Sequence, residues 1–252
     1  MTTRKLEGKI ALITGTGGGQ GRAAAKIFAA AGAQVFGCDI GEGNAQTAEI
    51  VKAAGGSFTG LDGIDLGDQD AARGWIDEVA KTTGHIDIVY NNASAARFAP
   101  IGEFPIDDWL FTIRNELHLV FYVTRFAWPY LQKRGGVVLN VGSISGIAGS
   151  TSGSAAHSAT KGAVIALTRQ LAAEGSKDGI RAVALSPGVI ETPGTAAILS
   201  DPALAQGLLA GNMIKRFGTA EEVAQFALFL ASDDAAYVTG ANMVIDGGAT
   251  SW

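Results

Sequence analysis

Short apolar runs rich in valine, isoleucine and leucine alternate along the chain with longer segments of helical pattern. Runs of this length and composition are typical of buried strands, and the segments between them are long enough for helices. The predicted strands are 9–14, 33–39, 57–61, 85–91, 136–141, 180–186 and 242–246. The predicted helices are 21–31, 45–54, 69–82, 106–134, 155–177 and 219–232, and Pro129 kinks the long fourth helix or begins its final turn.

Strands that are almost continuously apolar and that alternate with helices indicate a parallel sheet covered by helices on both faces. No linker or internal repeat interrupts the pattern. The sequence therefore predicts an α/β fold, in which residues 1–252 form a single doubly wound (Rossmann) domain with about seven parallel strands. In such a domain the ligand crevice lies at the carboxyl ends of the strands.

Composition and charge exclude several other classes of protein. A formal net charge of −5 over 252 residues argues against a nucleic-acid partner, which favours a basic patch. No apolar run is long enough for a transmembrane helix, and none precedes the first predicted strand, so neither a membrane span nor a signal peptide is expected. Cys38 is the sole cysteine and has no internal disulfide partner, which favours a reducing, cytoplasmic location.

The first strand-to-helix turn, residues 14–21, reads TGTGGGQG. Glycines let the backbone turn tightly and approach a pyrophosphate, whose charge is attracted by the free N–H groups of the next helix. At the end of the second strand stands Asp39, where a carboxylate accepts hydrogen bonds from the adenosine ribose and repels a 2′-phosphate. No lysine or arginine at 16–18 or 40 offsets that repulsion, so the pattern favours NAD over NADP. A flexible connection and a solvated strand-end acid are the alternative interpretations.

Further motifs follow in order along the chain. They are Asn91-Asn92-Ala93, Gly142-Ser143, His157 with Lys161, Pro187-Gly188 with Thr192-Pro193, and Asp246-Gly247-Gly248. Together with the glycine loop, this series resembles the short-chain dehydrogenase/reductase family over essentially the whole chain. The resemblance implies an NAD(H)-dependent oxidoreductase that interconverts a secondary alcohol and a ketone.

The resemblance also implies a role for each matching residue. The implied cofactor-binding residues are Gly15, Gly19, Gln20 and Gly21 at the phosphates, Asp39 and Ile40 at the adenosine ribose, Asp65 and Leu66 at the adenine, Asn91 and Ala93 beneath the cofactor, and Pro187, Gly188, Ile190 and Thr192 at the nicotinamide. The implied catalytic residues are Ser143, which polarises the substrate oxygen, His157, which transfers the proton, Lys161, which binds the nicotinamide ribose, and Asn115, which holds a relay water.

The chain departs from the family pattern at two positions. The family places tyrosine where this chain has His157, and it commonly has glycine where this chain has Ser94. Ser145, which lies closer to the histidine in sequence, is an alternative to Ser143 for the hydroxyl that polarises the substrate.

An imidazole changes the expected acid–base chemistry. A free imidazole titrates near pH ~6.5 and a free phenol near ~10, so an imidazole is mostly a base at neutral pH. Lys161 and an oxidised nicotinamide both disfavour a positively charged ring, which favours alcohol oxidation over ketone reduction. Three interpretations stay open: His157 is a working acid/base, it is a replacement that leaves a cofactor-binding protein with impaired or lost activity, or the site carries lyase or isomerase chemistry.

Apolar side chains recur at helical spacing across residues 195–213. This pattern predicts a lid over the nicotinamide end of the crevice and a mainly hydrophobic substrate, with ordinary core packing as the alternative. Arg97 and Phe98 are further candidate contacts. His85 and His118 have no partners at metal-ligand spacing, so no metal site is expected.

The resemblance finally implies a homotetramer with two-fold axes. The segments 106–134 and 155–177 correspond to the helices of one family interface. The C-terminal strand and Trp252 correspond to a second interface.

Overall fold

A computed structural model of the protein describes residues 4–251 and contains a sheet of seven parallel strands. The strands of the described residues are β1 (Ile10–Thr14), β2 (Gln34–Cys38), β3 (Ser57–Leu61), β4 (Ile88–Asn91), β5 (Gly136–Val141), β6 (Ile180–Pro187), β7 (Ile190–Glu191), β8 (Gly218–Thr219) and β9 (Asn242–Ile245). The order across the sheet is β3-β2-β1-β4-β5-β6-β9, and β7 pairs with β8 in a separate two-stranded ribbon. The predicted doubly wound parallel sheet is confirmed.

Helices cover both faces of this sheet. They are α1 (Gly19–Ala30), α2 (Asn44–Ala53), α3 (Gln69–Thr83), α4 (Ile106–Ile113), α5 (Leu119–Leu131), α6 (Ala155–Gly175), α7 (Ala196–Leu199), α8 (Pro202–Ala210) and α9 (Ala220–Ala231). Side chains of α1 and α9 pack in the core on one face, and side chains of α3, α5 and α6 pack in the core on the other.

The strands feed both cores because successive side chains of a strand point to opposite faces. In β1, Ala11 and Ile13 belong to the core beneath α1 and α9. Ile10 and Leu12 belong to the opposite core. The near-continuous apolar strands recognised in the sequence therefore follow from a sheet that is buried on both faces.

The predicted long helix over 106–134 is interrupted. A π-helical segment, Arg114–His118, separates α4 from α5, and Pro129 lies inside the last turn of α5. The predicted strand over 85–91 begins only at Ile88, and the carboxylate of Asp87 just before it accepts the backbone N–H of Ile10 at 2.8 Å. Within residues 4–251, no helix combines the length and the apolar character needed to cross a membrane.

The topology places a crevice above β1. β1 pairs with β2 on one side and with β4 on the other, so the chain reverses its direction across the sheet at this point. The loops that follow β1 and β4 diverge there and leave a gap at the carboxyl ends of both strands, which is where α/β sheets of this kind bind ligands.

Candidate active site

The crevice at the carboxyl ends of β1, β2 and β4 encloses about 540 Å³. Nine of the fifteen sequence-predicted cofactor-binding residues line it, namely Gly15, Gly19, Gln20, Asp39, Ile40, Asp65, Leu66, Ala93 and Thr192, and the predicted catalytic residue Asn115 lines it as well. Residues from the five connections that follow β1, β2, β3, β4 and β7 thus meet at one edge of the sheet.

Two glycines of the first turn are required by its backbone path. Gly15 has a φ of 77°, a conformation that residues with a Cβ rarely adopt. A Cβ on Gly21 would lie only 2.0 Å from the carbonyl oxygen of Gly15. Helix α1 begins here behind Gly18, whose lack of a side-chain cap leaves the first N–H groups free to bind an anion. A turn that admits no Cβ and points free amides into the crevice fits a pyrophosphate.

Asp39 stands at the end of β2 with its carboxylate against this turn. Its Oδ2 accepts the N–H of Gly17 at 2.9 Å, and its Oδ1 accepts the N–H of Gly41 at 2.9 Å. The guanidinium of Arg22, the basic group nearest the turn in sequence, donates instead to the carbonyls of Gly17 and Gly43. The carboxylate therefore keeps lone pairs directed into the crevice for a hydroxyl donor.

The far wall of the crevice carries a second carboxylate. Asp65 forms an ion pair of 2.6 Å with Arg114, a residue that the sequence analysis did not single out. The hydrogen bond that Arg114 donates to the Asp65 carboxylate raises the pKa of Arg114, and burial opposes this shift only in part. Leu66 beside it is buried, whereas Ile40 on the opposite wall is 65% exposed. These two apolar side chains can hold a flat ring between the walls.

The remaining predicted cofactor-binding residues lie outside the crevice lining. Asn91 is buried in the sheet, where its amide Nδ2 donates to Asn140 at 2.8 Å and to Thr124 at 3.0 Å. Gly21 lies inside α1. Lys161 lies in α6. Pro187 is the last residue of β6, Gly188 follows it, and Ile190 begins β7.

Ser143 and Lys161 meet at the end of β5. The Oγ of Ser143 accepts the backbone N–H of Ser145 at 3.1 Å, which fixes the position of the hydroxyl at the start of a short 3₁₀ turn. The Nζ of Lys161, buried in α6, donates to the carbonyl of Val141 at 3.0 Å. Burial lowers the pKa of Lys161, and the negative charge of Glu116 acts against that shift.

Asn115 lies in the π-helical segment that interrupts the long helix. Its side-chain Nδ2 donates to the backbone carbonyl of Phe111 at 2.8 Å, and its backbone carbonyl accepts the N–H of Ala95 at 3.3 Å. The extra residue in this turn also sets the direction of the following side chain, Glu116.

The contact between His157 and Glu116 was not predicted from the sequence. The Nδ1 of His157 lies 2.9 Å and 3.0 Å from the two carboxylate oxygens of Glu116. Ser94, which lines the crevice, donates its hydroxyl to the same carboxylate at 2.6 Å, and Thr160 of α6 donates from the other side. No motif spacing in the sequence marks Glu116, because its three partners lie 22, 41 and 44 positions away.

The carboxylate of Glu116 is ionised although its side chain is fully buried. Burial alone raises the pKa of Glu116, but the hydrogen bond from His157 and the charge of Lys161 outweigh this effect and lower the pKa to about 2. An ionised carboxylate only accepts hydrogen bonds, so Nδ1 of His157 must carry a hydrogen and donate it. In a neutral ring, Nε2 is then the basic atom.

Comparison with known proteins identifies the family. The family model described as enoyl-(acyl carrier protein) reductase matches residues 15–250. The 3-oxoacyl-(acyl-carrier-protein) reductase of Thermotoga maritima is 39% identical, over 97% of this chain and 98% of that protein. The chain is a member of the short-chain dehydrogenase/reductase family. The resemblance inferred from the sequence is thereby confirmed.

Other short-chain dehydrogenases and reductases resemble the chain just as completely. The meso-2,3-butanediol dehydrogenase of Serratia marcescens is 34% identical, over 98% of this chain and 96% of that protein. A solved structure from Agrobacterium tumefaciens, described as a 2-deoxy-d-gluconate 3-dehydrogenase with bound NADP, superposes with a TM-score of 0.91 at 33% identity and covers 100% of both chains. A 7α-hydroxysteroid dehydrogenase complexed with NADH and 7-oxo glycochenodeoxycholic acid has a TM-score of 0.92 at 27% identity and covers 98% of this chain and 96% of that one.

Family membership gives the site its coarse chemistry. Short-chain dehydrogenases and reductases are oxidoreductases that bind a nicotinamide cofactor, and the glycine turn and crevice of this chain fit such a group. The two departures noted in the sequence, Ser94 and His157, bind the same carboxylate, Glu116. Position 157, where the family pattern has tyrosine, therefore carries a histidine that is paired with a buried glutamate.

Proposed function

We propose that the protein is an NAD(H)-dependent oxidoreductase that interconverts a secondary alcohol and a ketone, with His157 as the acid/base. One observation carries this proposal: Nδ1 of His157 lies within hydrogen-bond distance of both oxygens of the buried Glu116 carboxylate. The low pKa of Glu116 makes that carboxylate an acceptor, which leaves Nε2 of His157 as the basic atom. A histidine that only filled space would need no buried carboxylate partner, because burying a charge costs free energy. The arrangement supports a working acid/base over a disabled site.

The chain supplies binding, orientation and proton transfer. A bound nicotinamide supplies the hydride chemistry. In alcohol oxidation, the alcohol oxygen would give up its proton to Nε2 of His157, and a nicotinamide held in the crevice would accept the hydride from the alcohol carbon. The hydroxyl of Ser143 donates to the substrate oxygen, and Lys161 stands one helical turn from His157 to bind the nicotinamide ribose. The products are a ketone, a reduced cofactor and an imidazolium that returns its proton to solvent.

NAD is the proposed cofactor over NADP because of Asp39. Its carboxylate lines the crevice at the end of β2, and its negative charge repels a 2′-phosphate. The guanidinium of Arg22 is committed to two backbone carbonyls and to the hydroxyl of Thr47, so it does not neutralise this carboxylate.

A hydrophobic substrate is proposed from the apolar side chains beyond the crevice. Helices α7 and α8 bury none of their residues, and Ile198, Leu204 and Leu208 are exposed on them. Phe98, which is 56% exposed, lies with its ring centre 5.7 Å from that of His157. Apolar groups beside the acid/base favour a substrate with an apolar body next to its hydroxyl.

The assembly and location follow the same proposal. Exposed apolar side chains on α4 and α5, among them Ile106, Leu110 and Phe121, form a surface suited to a second copy in a homotetramer. Residue Trp252, assigned to a second interface, lies outside the described residues. A single buried cysteine, Cys38, is consistent with a cytoplasmic enzyme.

A panel of secondary alcohols tests the proposal. We expect absorbance of reduced cofactor to appear with NAD and, at least tenfold more slowly, with NADP. Replacement His157→Ala should lower kcat by roughly 10²–10⁴-fold, while the Kd for NADH changes by less than about twofold. His118→Ala, at an exposed histidine of the long helix, is the matched control and should leave both values unchanged.

Two results would contradict the proposal. If no alcohol or ketone is turned over but NADH binds, the protein is a cofactor-binding member of the family without dehydrogenase activity. If His157→Ala turns over as fast as the wild type, His157 is not the acid/base.

A further inference from the structure

We propose that Glu116 is the positioning residue of the proton-transfer histidine. Its carboxylate holds the Nδ1–H of His157 and so presents Nε2 as the atom that exchanges the substrate proton. This inference deepens the proposed function and rests on it. It also explains Ser94, because the serine hydroxyl binds the other partner of the same pair.

The contact with Glu116 selects one tautomer of His157. A neutral histidine carries its hydrogen on either ring nitrogen, and only the other nitrogen is then a base. Both carboxylate oxygens of Glu116 lie within 3.0 Å of Nδ1, and among residues 4–251 no hydrogen bond engages Nε2. Since the carboxylate cannot donate, the Nδ1–H tautomer is selected. The base therefore faces away from Glu116.

The negative charge of Glu116 lies between two groups that can be positive, His157 and Lys161. When Nε2 accepts a proton, the ring becomes positive within one helical turn of the Lys161 ammonium. The carboxylate of Glu116 lies 2.9 Å from Nδ1 and 3.9 Å from the lysine Nζ, so it faces both positive groups. A negative charge at these distances offsets the repulsion between a protonated His157 ring and the Lys161 ammonium. His157 and Lys161 are the charged groups of the described residues that face Glu116.

The carboxylate of Glu116 is itself held in place by other side chains. The side chain of Glu116 is 0% exposed, and Ser94 and Thr160 each donate a hydroxyl to it. A carboxylate fixed by donors from two other segments cannot turn away from the imidazole. Because a positioned acid/base depends on the angle of its ring, this fixation sets the direction of Nε2.

The direct test reads the ring itself. In the NAD-bound full-length protein with ¹⁵N-labelled histidine, NMR of the ring nitrogens should show the Nδ1–H tautomer for His157, with His157→Ala identifying its signal. Glu116→Gln keeps the size of the side chain but offers both a donor and an acceptor. In that variant we expect a mixture of tautomers. An Nε2–H tautomer in the wild type, or an unchanged Nδ1–H signal in Glu116→Gln, overturns the inference.

Kinetics separate positioning from a general structural role. Glu116→Gln should lower kcat by about 10²-fold or more, as loss of a carboxylate partner does in other histidine pairs, while the KM for NAD changes by less than about twofold. In a His157→Tyr background the phenol has no Nδ1, so Glu116→Gln should cost less than about threefold. Equal losses in the two backgrounds would show that Glu116 only stabilises the fold around Lys161 and would overturn the inference.

Two conservative variants serve if Glu116→Gln does not fold. Ser94→Ala and Thr160→Val each remove one donor to the carboxylate and leave the charge in place. Combined, they should loosen the tautomer preference and lower kcat, and no change in either measurement overturns the inference. If no alcohol is turned over at all, the proposed function fails, whereas the NMR result still decides whether Glu116 holds His157.

Discussion

The two ends of the crevice differ in how they are built. The phosphate end is made by one turn and its neighbouring strand: Gly15, Gly21 and Asp39 act through backbone geometry and a strand-end position. At the proton-transfer end, Glu116 and His157 come from separate helices and meet only in the folded chain. The first end follows the family pattern, whereas the second contains the two departures from it, Ser94 and His157.

This difference shows how freely the residues at each end of the crevice can change. Backbone geometry at the phosphate end leaves little freedom, because a Cβ at Gly21 would collide with the main chain. Side-chain chemistry at the other end is free to change if its partners change with it. Here a carboxylate at 116 and a hydroxyl at 94 accompany the histidine.

The largest expected effect concerns the proton-transfer end and its pH dependence. The pKa of Glu116 falls from its ordinary 4.5 to about 2 on folding, so its contribution to stability is present above pH 4.5 and is lost as the pH falls through 2. The shift corresponds to about 3 kcal/mol. Urea unfolding at pH 5 and at pH 2 should therefore show a smaller loss of unfolding free energy for Glu116→Gln than for the wild type. Equal losses would show that the carboxylate is not held in its ionised form.

The next effect concerns the phosphate end. Gly21→Ala places a Cβ at 2.0 Å from the Gly15 carbonyl oxygen, so the turn must shift. Overpacking of this kind costs about 1–3 kcal/mol, and we expect the Kd for NADH, measured by tryptophan fluorescence, to rise about 10–100-fold. Gly74→Ala, in a helix with open space around the glycine, is the control and should bind normally. If Gly21→Ala binds NADH normally, the backbone at the phosphate end does not require glycine at this position.

A smaller effect is expected at the ribose position. Asp39→Asn removes the charge and keeps the shape, so the Kd for NADH should rise about tenfold, or about 1.4 kcal/mol. The preference for NAD over NADP should narrow at the same time, because the repulsion of a 2′-phosphate is gone. Isothermal titration with both cofactors measures this. Glu42→Gln, an exposed neighbour in the same loop, should leave both affinities unchanged.

The smallest effect is expected from Ser94→Gly, which restores the residue common in the family. It removes the 2.6 Å hydrogen bond to Glu116 but leaves the contact of Glu116 with His157. A single hydrogen bond to a charged group contributes about 1.5–3 kcal/mol at most, and a carboxylate with other donors loses less. Steady-state kinetics should show kcat reduced about threefold to tenfold with NADH binding unchanged. If Ser94→Gly lowers kcat more than Glu116→Gln does, the ranking of Glu116 above Ser94 is wrong.

Most of the fold was predictable because it rests on local pattern. β3 and β5 have the predicted bounds, and α3 ends within one residue of its predicted end at 82. The interruption of the long helix was not predictable, since residues 106–134 keep their apolar pattern through the π-helical segment at Arg114–His118. That segment depends on packing against α6.

The candidate site divides along the same line. The glycines and Asp39 were identified because their spacing from a strand reports their position in space. Glu116 was not identified, because a glutamate in a predicted helix is ordinarily exposed, and nothing in its neighbourhood reveals a partner 41 residues away. Arg114, which pairs with Asp65 at a separation of 49 residues, escaped for the same reason.

The sequence by itself determined the order of strands and helices, the turn that fits a pyrophosphate and the presence of an imidazole at the proton-transfer position. These features are encoded within short stretches, where apolar period, glycine content and spacing act locally. Only the tertiary structure decided which nitrogen of that imidazole contacts a carboxylate and which is left without a hydrogen bond among residues 4–251. The deciding contact joins residues that lie 41 positions apart, and the buried carboxylate stays ionised because folding brings donors and Lys161 to it from distant parts of the chain.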